Sequence, residues 1–316
     1  PACAGPAGSM YTEYGQDFTG REFHDRLYRG GIIRLRGVRG MQQLAAFEQD
    51  FLERFLAPHP PVESHRHHDE QALAEVFLAA QREFAKSREA QRLWQAVFEH
   101  AGLDPAQTAR DRIILRFQPP DPPGRERAWS RSTSTVGFHR DTWGTNLYAQ
   151  VNWWAPVYPI DASRTFAFFP EKFAQPIAND SADFDLAEVM RRLREAPGTM
   201  KAGQMTPRPL ETFDASAGQP VVIEVGEVIA FSAQHAHVGV RNRTPFTRIS
   251  MDTRTLFIPD HVAGRGAPNV DGLARWRAPG MFRRISDGVS LAQLLGTTDL
   301  EPHVFTAPGG PEAGRR

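Results

Sequence analysis

The chain has 316 residues, of which 41% are hydrophobic, and it carries 37 basic and 37 acidic side chains. That length suits either one large domain or two smaller ones, and we expect a single core. The balanced charge provides no overall field that would recruit nucleic acid or an anionic membrane. No apolar run approaches the ~18 residues of a transmembrane helix, so we expect no transmembrane segment and a cytoplasmic protein.

The single cysteine, Cys3, lies in a leading stretch of small residues, Pro and Gly that ends in Gly-Ser-Met. We interpret residues 1–9 as a cloning remnant in front of a native start at Met10. Without Cys3 the sequence contains no cysteine, which excludes a disulfide framework, a thiolate metal site and a cysteine nucleophile. This composition is also compatible with a reducing cytoplasm.

The segment 10–110 is predicted to be mainly helical. After a strand-like piece at 31–36, apolar residues recur at three- and four-residue steps over 41–56, which is typical of an amphipathic helix. A second helical stretch is predicted over about 70–100, and Gly102 is a suitable residue at which it ends.

From Asp111 the sequence changes to short β-rich runs that are separated by Pro- and Gly-rich turns. Many short strands with such turns predict a sandwich or barrel. We therefore expect a mainly β fold with flanking helices and a jelly-roll core over 111–260. A C-terminal extension (261–306) and a flexible tail (307–316) complete this single domain, and the irregular stretch 197–219 is a candidate lid.

Two potential metal ligands, His139 and Asp141, lie two residues apart in a strand-like segment. Alternate side chains of a strand project from the same face, as a shared metal would require, and Arg140 then points to the other face. By itself the His-x-Asp pattern is weak evidence for a metal, because it occurs by chance in many proteins.

A later segment, 226–250, contributes His235 and His237 and then Arg248 and Ser250. Two imidazoles and one carboxylate on one side of an iron(II) ion leave three positions open, two for a keto acid and one for oxygen. The other carboxylate of 2-oxoglutarate would then need a fixed cation and a hydroxyl group. Arg248 offers a planar two-point donor, and Ser250 faces the same way two residues later.

With these motifs together, the chain resembles the phytanoyl-CoA-dioxygenase-like branch of the iron(II)/2-oxoglutarate oxygenases over about 112–258. The resemblance rests on His139, Asp141, Gly226, Phe231, His237, Asn242, Arg248 and Ser250. It implies a double-stranded β-helix that carries iron(II) and 2-oxoglutarate and oxidises a small molecule with O2. In this family the ligand set corresponds to His139, Asp141 and His237, and the 2-oxoglutarate anchor to Arg248 and Ser250.

His235 and His237 compete for the third ligand position because residues two apart on a strand share a face. We prefer His237, since its five-residue step to Asn242 and its eleven-residue step to Arg248 resemble the family register. His235 would then line the substrate pocket or pack. Halogenases that resemble this oxygenase family have Gly or Ala in place of the carboxylate ligand. The presence of Asp141 therefore favours hydroxylation or another oxidation over chlorination.

Other positions have two interpretations each. Gln150 and Asn152, on the polar side of a predicted strand, could contact 2-oxoglutarate or lie on a solvated outer face. Trp143 could form a substrate wall or pack at the rim of the site. The histidine cluster at 64–69 is more typical of a solvated loop than of a second metal site, and Arg164 is more typical of a surface salt bridge than of a substrate contact.

Three functions are candidates: the oxygenase, a cupin-type metal isomerase, and a jelly-roll module that binds a ligand without chemistry. A His-x-His pair such as that of His235 and His237 also begins the cupin metal site, but in cupins the pair comes early and here it comes late. Only the oxygenase uses the three ligands, Arg248 and Ser250 at once. The irregular loops at 119–131 and 197–219 are expected to select the substrate.

Overall fold

The computed structural model describes residues 10–15, 18, 20–122, 135–195 and 204–302. The expected remnant at 1–9 and the expected tail at 307–316 lie outside the described residues. The same is true of parts of the two predicted substrate loops, at 123–131 and 197–203.

The helices lie mainly in the first hundred residues, as predicted. In chain order they are α1 (Gly20–Tyr28), α2 (Arg39–Phe55), α3 (Glu70–Phe84), α4 (Arg88–His100), α5 (Thr142–Thr145), α6 (Leu186–Glu195), α7 (Ile258–Val262) and α8 (Leu291–Leu295). Among the described residues, no helix combines the length and the apolar character needed to cross a membrane.

The predicted helical stretch 70–100 is two helices rather than one. The hydroxyl of Ser87 accepts a hydrogen bond from Ala90 N and so caps α4, because a serine side chain satisfies a free amide best at a helix start. Asp69 caps α3 in the same way through Ala72 N. At the other end Gly102 adopts a positive φ of 78°, which confirms its predicted place just after α4.

The strands follow mainly after residue 107. In chain order they are β1 (Thr12–Glu13), β2 (Ile32–Leu35), β3 (Thr108–Arg110), β4 (Ile114–Gln118), β5 (Gln150–Pro156), β6 (Phe166–Phe168), β7 (Gln219–Pro220), β8 (Val228–Ser232), β9 (His237–Gly239), β10 (Arg248–Phe257), β11 (Trp276–Arg277), β12 (Arg283–Arg284) and β13 (Glu301–Pro302).

Most of these strands form one large sheet and one small sheet, and β11 and β13 pair with each other in a separate two-stranded sheet. In the large sheet the order is β1-β2-β8-β5-β10-β3-β12, and β4 also pairs with β10. The small sheet has the order β7-β6-β9, and His139 extends it through an antiparallel bridge to His237. The fold is therefore dominated by β-sheet with flanking helices, as expected.

The large sheet is buried on both faces. On its outer face Trp153 packs against Phe23 of α1 and Phe98 of α4, within the main hydrophobic core. On its inner face Trp154 and Phe231 pack against Phe166 of the small sheet. The apolar alternation along each strand thus separates a helix-covered layer from an inner layer between the two sheets.

The strand β5 is buried along its whole length. The alternative in which Gln150 and Asn152 lie on a solvated face is therefore wrong. In the antiparallel register Asn152 lies opposite Arg254, and Trp154 lies opposite Asp252. Directly opposite residues share a face, so the polar side chains of β5 and β10 line the same inner layer as the aromatic cluster.

Candidate metal centre

His139, Asp141 and His237, which we call the metal triad, come together at the edge of the small sheet. The main chains of His139 and His237 exchange two hydrogen bonds, of 3.0 and 3.1 Å, and their ring centroids are 4.2 Å apart. One ligand atom from each member of the triad lies within 4.8 Å of the others. Two imidazoles and a carboxylate at this spacing can hold a divalent transition metal.

Both triad histidines are oriented by main-chain carbonyls. Nδ1 of His139 is 2.9 Å from Gly137 O, and Nδ1 of His237 is 3.0 Å from His235 O. A neutral ring that donates from Nδ1 keeps its lone pair on Nε2, which is then free to bind a metal. Burial lowers the pKa of His139, and it lowers the pKa of His237 to about 4, so both rings are neutral at pH 7.

The carboxylate of Asp141 is held on both oxygens. Asn152 Nδ2 donates to Oδ2 at 2.5 Å, and Arg254 Nη2 donates to Oδ1 at 3.2 Å. Burial by itself would raise the pKa of this carboxyl, but Arg254 and the triad histidines outweigh it and lower the pKa. Asp141 is therefore an anion that is ready to bind a cation.

Asn152 is itself positioned from behind. Gln150 Nε2 donates to Asn152 Oδ1 at 2.8 Å, and Thr145 Oγ1 donates to Gln150 Oε1 at 3.3 Å. This chain of hydrogen bonds ends on the carboxylate of Asp141, and such support is common around metal ligands. Direct contact of Gln150 or Asn152 with 2-oxoglutarate stays a prediction.

The role of Arg254 at Asp141 was not identified from the sequence. Arg254 also pairs with Asp111 at 3.5 Å, so a largely buried guanidinium lies between two carboxylates. The sequence feature that could have indicated this role is the position of Arg254, six residues after Arg248 on the same strand. That spacing places the two arginines on a common face.

Arg248 and Ser250 lie on the inner face of β10 and carry polar atoms that no described residue satisfies. Arg248 is 7% exposed and Ser250 is fully buried. Among the described residues, Arg248 Nε, Arg248 Nη1 and Ser250 Oγ are buried without a hydrogen-bond partner. Burial, followed by the nearby charge of Arg116, lowers the pKa of Arg248 to about 10, so the guanidinium still carries its charge at pH 7.

Buried polar atoms without partners are costly, at about 1–3 kcal/mol each and more when charged. The neighbouring Arg116 does have a partner, because it forms an ion pair with Asp252 on the same face. The strand β10 therefore takes part in one ion pair, between Asp252 and Arg116. Beside it, the donors of Arg248 and Ser250 match an anion with several oxygens.

Trp143 and His235 both have hydrogen-bond partners within the protein. These contacts favour a packing role over a substrate contact for each side chain. Trp143 is fully buried, and its Nε1 donates to Asp271 at 2.8 Å. His235 is 1% exposed, with its ring nitrogens 3.1 Å from the carbonyls of Ser232 and Gly30. The structure thus brings His237, and not His235, into the metal triad.

The remaining residues of the later motif shape the chain around the site. Gly226 has a φ of 89°, a conformation that favours glycine, and it turns the chain into β8. Glu227 closes this turn by accepting from Glu224 N. Asn242 Nδ2 donates to Gln118 O and Phe246 O, which fixes the loop in front of β10.

The histidine cluster at 64–69 has local structural roles. His65 contacts Thr247 Oγ1 at 2.9 Å, His68 contacts Ser64 O at 3.0 Å, and the ring of His67 stacks on that of His59. Parallel stacked rings do not direct their lone pairs at one point. These contacts favour the loop interpretation over a second metal site.

A surface cleft of about 750 Å³ is lined in part by Phe138, Phe213 and Val238. Phe138 and Val238 are sequence neighbours of His139 and His237, so alternation places them on the other face of the small sheet. The cleft and the metal triad therefore lie on opposite faces. The location of the candidate site follows from its ligands and not from the size of this cleft.

Searches against protein-family models and against curated proteins found no match for this chain. Among solved structures, similar ones include the epimerase SnoN in complex with Fe3+, alpha ketoglutarate and nogalamycin RO, which is 12% identical with a TM-score of 0.41 over 80% of this chain and 96% of that one. EvdO2 from Micromonospora carbonacea var. aurantiaca complexed with 2-oxoglutarate is 11% identical with a TM-score of 0.42 over 74% and 89%. The non-heme monooxygenase ThoJ is 12% identical with a TM-score of 0.38 over 74% and 77%. At these TM-scores the likenesses do not assign a function, so the function has to be inferred from the geometry of the site.

Proposed function

We propose that the protein is an iron(II)- and 2-oxoglutarate-dependent oxygenase. The observation that carries the proposal is the pairing of a metal triad with a separate buried anion site on the same inner layer, at Arg248 and Ser250. We also infer that the two facing sheets are the two layers of a double-stranded β-helix.

The triad suits iron(II) because two imidazoles and one carboxylate leave room for further ligands. When both are bound, the metal and 2-oxoglutarate supply oxidation of a C–H bond by O2, with 2-oxoglutarate converted to succinate and carbon dioxide. In the hydroxylation that we propose, one oxygen atom enters the succinate and the other enters the product alcohol. The substrate proposed is a small molecule, such as a sugar or specialised metabolite.

The anion site suits the distal carboxylate of 2-oxoglutarate. Arg248 would donate two parallel hydrogen bonds from one edge of its guanidinium, either Nη1 with Nη2 or Nε with Nη2, and Ser250 would donate one from Oγ. Nε, Nη1 and Oγ are buried without a partner among the described residues. A planar guanidinium matches the two oxygens of a carboxylate. Ligand binding would thereby satisfy groups that otherwise destabilise the fold.

The charge balance around the site supports binding of a cation and an anion together. Among the described residues, Arg116, Arg248 and Arg254 face Asp111, Asp141 and Asp252, so three positive charges meet three negative charges. A divalent cation alone, or a dianion alone, would leave two uncompensated charges in a buried region, which is costly. Iron(II) and dianionic 2-oxoglutarate together keep the region neutral.

The aromatic side chains around His237 would keep bulk water from the metal. Phe166, Phe168 and Phe231 lie with ring centroids 5.8, 6.0 and 5.6 Å from that of His237. A dry environment strengthens the electrostatic interactions within the site. The function of these rings would be to exclude water and to limit the positions that a substrate can occupy.

The decisive experiment needs no knowledge of the substrate. Protein loaded with iron(II) without oxygen should develop a visible metal-to-ligand charge-transfer band when 2-oxoglutarate is added, because that band requires chelation of the keto acid. Admission of oxygen should then give slow formation of succinate, and substrates can be ranked by how much they accelerate it. The His237→Ala variant is the matched control and should show neither signal.

The two alternatives predict different results. If the protein retained iron but gave neither band nor succinate, the oxygenase proposal would be rejected in favour of a cupin-type metal enzyme. If it bound no divalent metal under anaerobic conditions, a ligand-binding module without chemistry would be the better account.

A further inference from the structure

Arg140 lies between the two metal ligands of the His-x-Asp segment and is completely buried. Its Nη1 donates to Phe173 O at 3.1 Å and to Gln234 O at 3.0 Å. Its Nη2 donates to Lys172 O at 2.6 Å and to Gln175 O at 2.8 Å. Four main-chain carbonyls from two distant segments thus converge on one guanidinium.

The positive charge of Arg140 is balanced by Asp271. Arg140 Nε lies 3.2 Å from Asp271 Oδ2, and the Asp271 side chain is 4% exposed. Asp271 also accepts from Trp143 Nε1 at 2.8 Å and from Ile177 N at 3.0 Å. The ion pair therefore ties the turn that follows Asp141 to the segment 172–177.

The same contacts connect both parts of the metal triad. Arg140 is adjacent to His139 and Asp141, and the carbonyl that it binds at Gln234 lies three residues before His237. A second connection runs in parallel, because Thr142 Oγ1 donates to Gln234 Oε1 at 2.9 Å. One side chain, on the face away from the metal, thereby links the two segments that supply the ligands.

We propose that Arg140, with its counterion Asp271, is a positioning residue that holds the two ligand segments at the spacing required for metal binding. The proposal rests on the proposed metal site and assigns it a buried support that does not touch the metal. Arginine suits this position because its planar group donates to four carbonyls and forms an ion pair with a carboxylate at the same time, whereas lysine has only three N–H donors.

The test is the affinity of the metal-free protein for cobalt(II), measured by calorimetry and by the visible d–d absorption of the bound ion. Loss of a side chain that orients metal ligands typically weakens metal binding about 10- to 100-fold. We expect a rise of that size in the dissociation constant for Arg140→Met, and a change in the shape of the d–d band. The Arg140→Lys variant keeps the charge and should give a smaller rise.

A double variant separates positioning from general stability. Arg140→Met alone leaves Asp271 as an unpaired buried charge, which is strongly destabilising. Adding Asp271→Asn removes that charge and keeps an acceptor oxygen for Trp143, so the melting temperature should recover towards that of the wild type. The cobalt(II) affinity should nevertheless stay at least tenfold weaker than in the wild type.

Val97→Ala is the control for destabilisation. Val97 is fully buried in α4 within the main core and far along the chain from the triad, so its truncation lowers stability by a cavity effect. This variant should bind cobalt(II) with wild-type affinity. If Arg140→Met does not fold, the comparison uses Arg140→Lys and the double variant.

The outcomes are distinct. The proposal would be overturned if the double variant bound cobalt(II) with wild-type affinity and an unchanged d–d band, because Arg140 would then serve stability alone. If Arg140→Met does not fold, the same result in Arg140→Lys would overturn it. Equal loss of affinity in Val97→Ala would do the same. Failure of the wild type to bind any divalent metal would instead reject the proposed function itself.

Discussion

Replacing Arg248 by lysine tests the proposed anchor for 2-oxoglutarate. Lysine keeps the positive charge, but it is a point donor, whereas the arginine fork can form two parallel hydrogen bonds with a carboxylate. Nε and Nη1 of Arg248 are buried and have no partner among the described residues, so a carboxylate can accept two hydrogen bonds from one edge of this guanidinium. The lysine variant should therefore lose one charge-assisted hydrogen bond. Such a bond contributes about 1.5–3 kcal/mol, which corresponds to a rise of about 10- to 150-fold in the dissociation constant.

The dissociation constant is measured by anaerobic titration of the iron-loaded variant with 2-oxoglutarate, followed through the charge-transfer band. A 2-oxo monocarboxylate of similar length is the matched control ligand, because it keeps the chelating end and lacks the distal carboxylate. The wild type and Arg248→Lys should bind this control ligand with similar affinity. Ser250→Ala should show the same selectivity with a loss at the lower end of the range.

The reasoning about Arg248 is refuted by either of two results. Unchanged 2-oxoglutarate affinity in Arg248→Lys would move the anchor to another cation, and Arg116→Lys would be the next variant to measure. A loss that was equal for the dicarboxylate and the monocarboxylate would show that the substitution disturbs the metal end of the site and not the distal carboxylate.

Three further predictions concern the ligands, their support and the core. Alanine at any member of the metal triad should abolish iron binding in metal analysis, whereas His235→Ala should retain iron; the reverse result for His235 and His237 would exchange their roles. Asn152→Ala removes the donor to Asp141 Oδ2 and should raise the dissociation constant for cobalt(II) about 10- to 100-fold, and unchanged binding would contradict a supporting role. Burial raises the pKa of the Glu48 carboxyl, which has no hydrogen-bond partner among the described residues, well above its usual value. The free energy of unfolding is therefore highest below the unfolded pKa of about 4.5 and falls by about 1.4 kcal/mol per pH unit as the pH rises towards the folded pKa. Thermal melts should therefore show a smaller loss of stability between pH 5 and pH 8 in Glu48→Gln than in the wild type, and parallel curves would argue against a buried neutral acid.

Local spacing in the sequence was sufficient to predict the donors of the candidate site. Residues two apart on a strand share a face, and this rule alone places Arg248 beside Ser250 and directs Arg140 away from His139 and Asp141. Those relations extend over a few residues, so they do not depend on how the sheets pair. The helices of the first hundred residues were predictable for the same reason, because periodicity within one element reports its buried side.

Alternation along a strand does not decide which residues of a face take part in the site. The rings of His235 and His237 both lie near those of Phe168 and Phe231, but His235 precedes β9, which begins at His237, and its ring nitrogens lie against two carbonyls. Trp143 was a candidate substrate wall because it follows Asp141 closely. The short helix α5 begins at Thr142 and places Trp143 in an apolar cluster with Phe138.

The contacts that support the ligands could not be predicted from spacing, because they depend on strand pairing. Arg254 reaches Asp141 across 113 residues of chain, and it does so because β10 pairs with β5 in the register that sets Arg254 opposite Asn152. A shift of one of the two strands by one residue would turn its side chain to the helix-covered face and leave Asp141 without one of its two donors. Since the buried residues opposite them on the outer face, such as Trp153, can pack in only one register, the hydrophobic core of the large sheet also determines how Asp141 is presented to a metal.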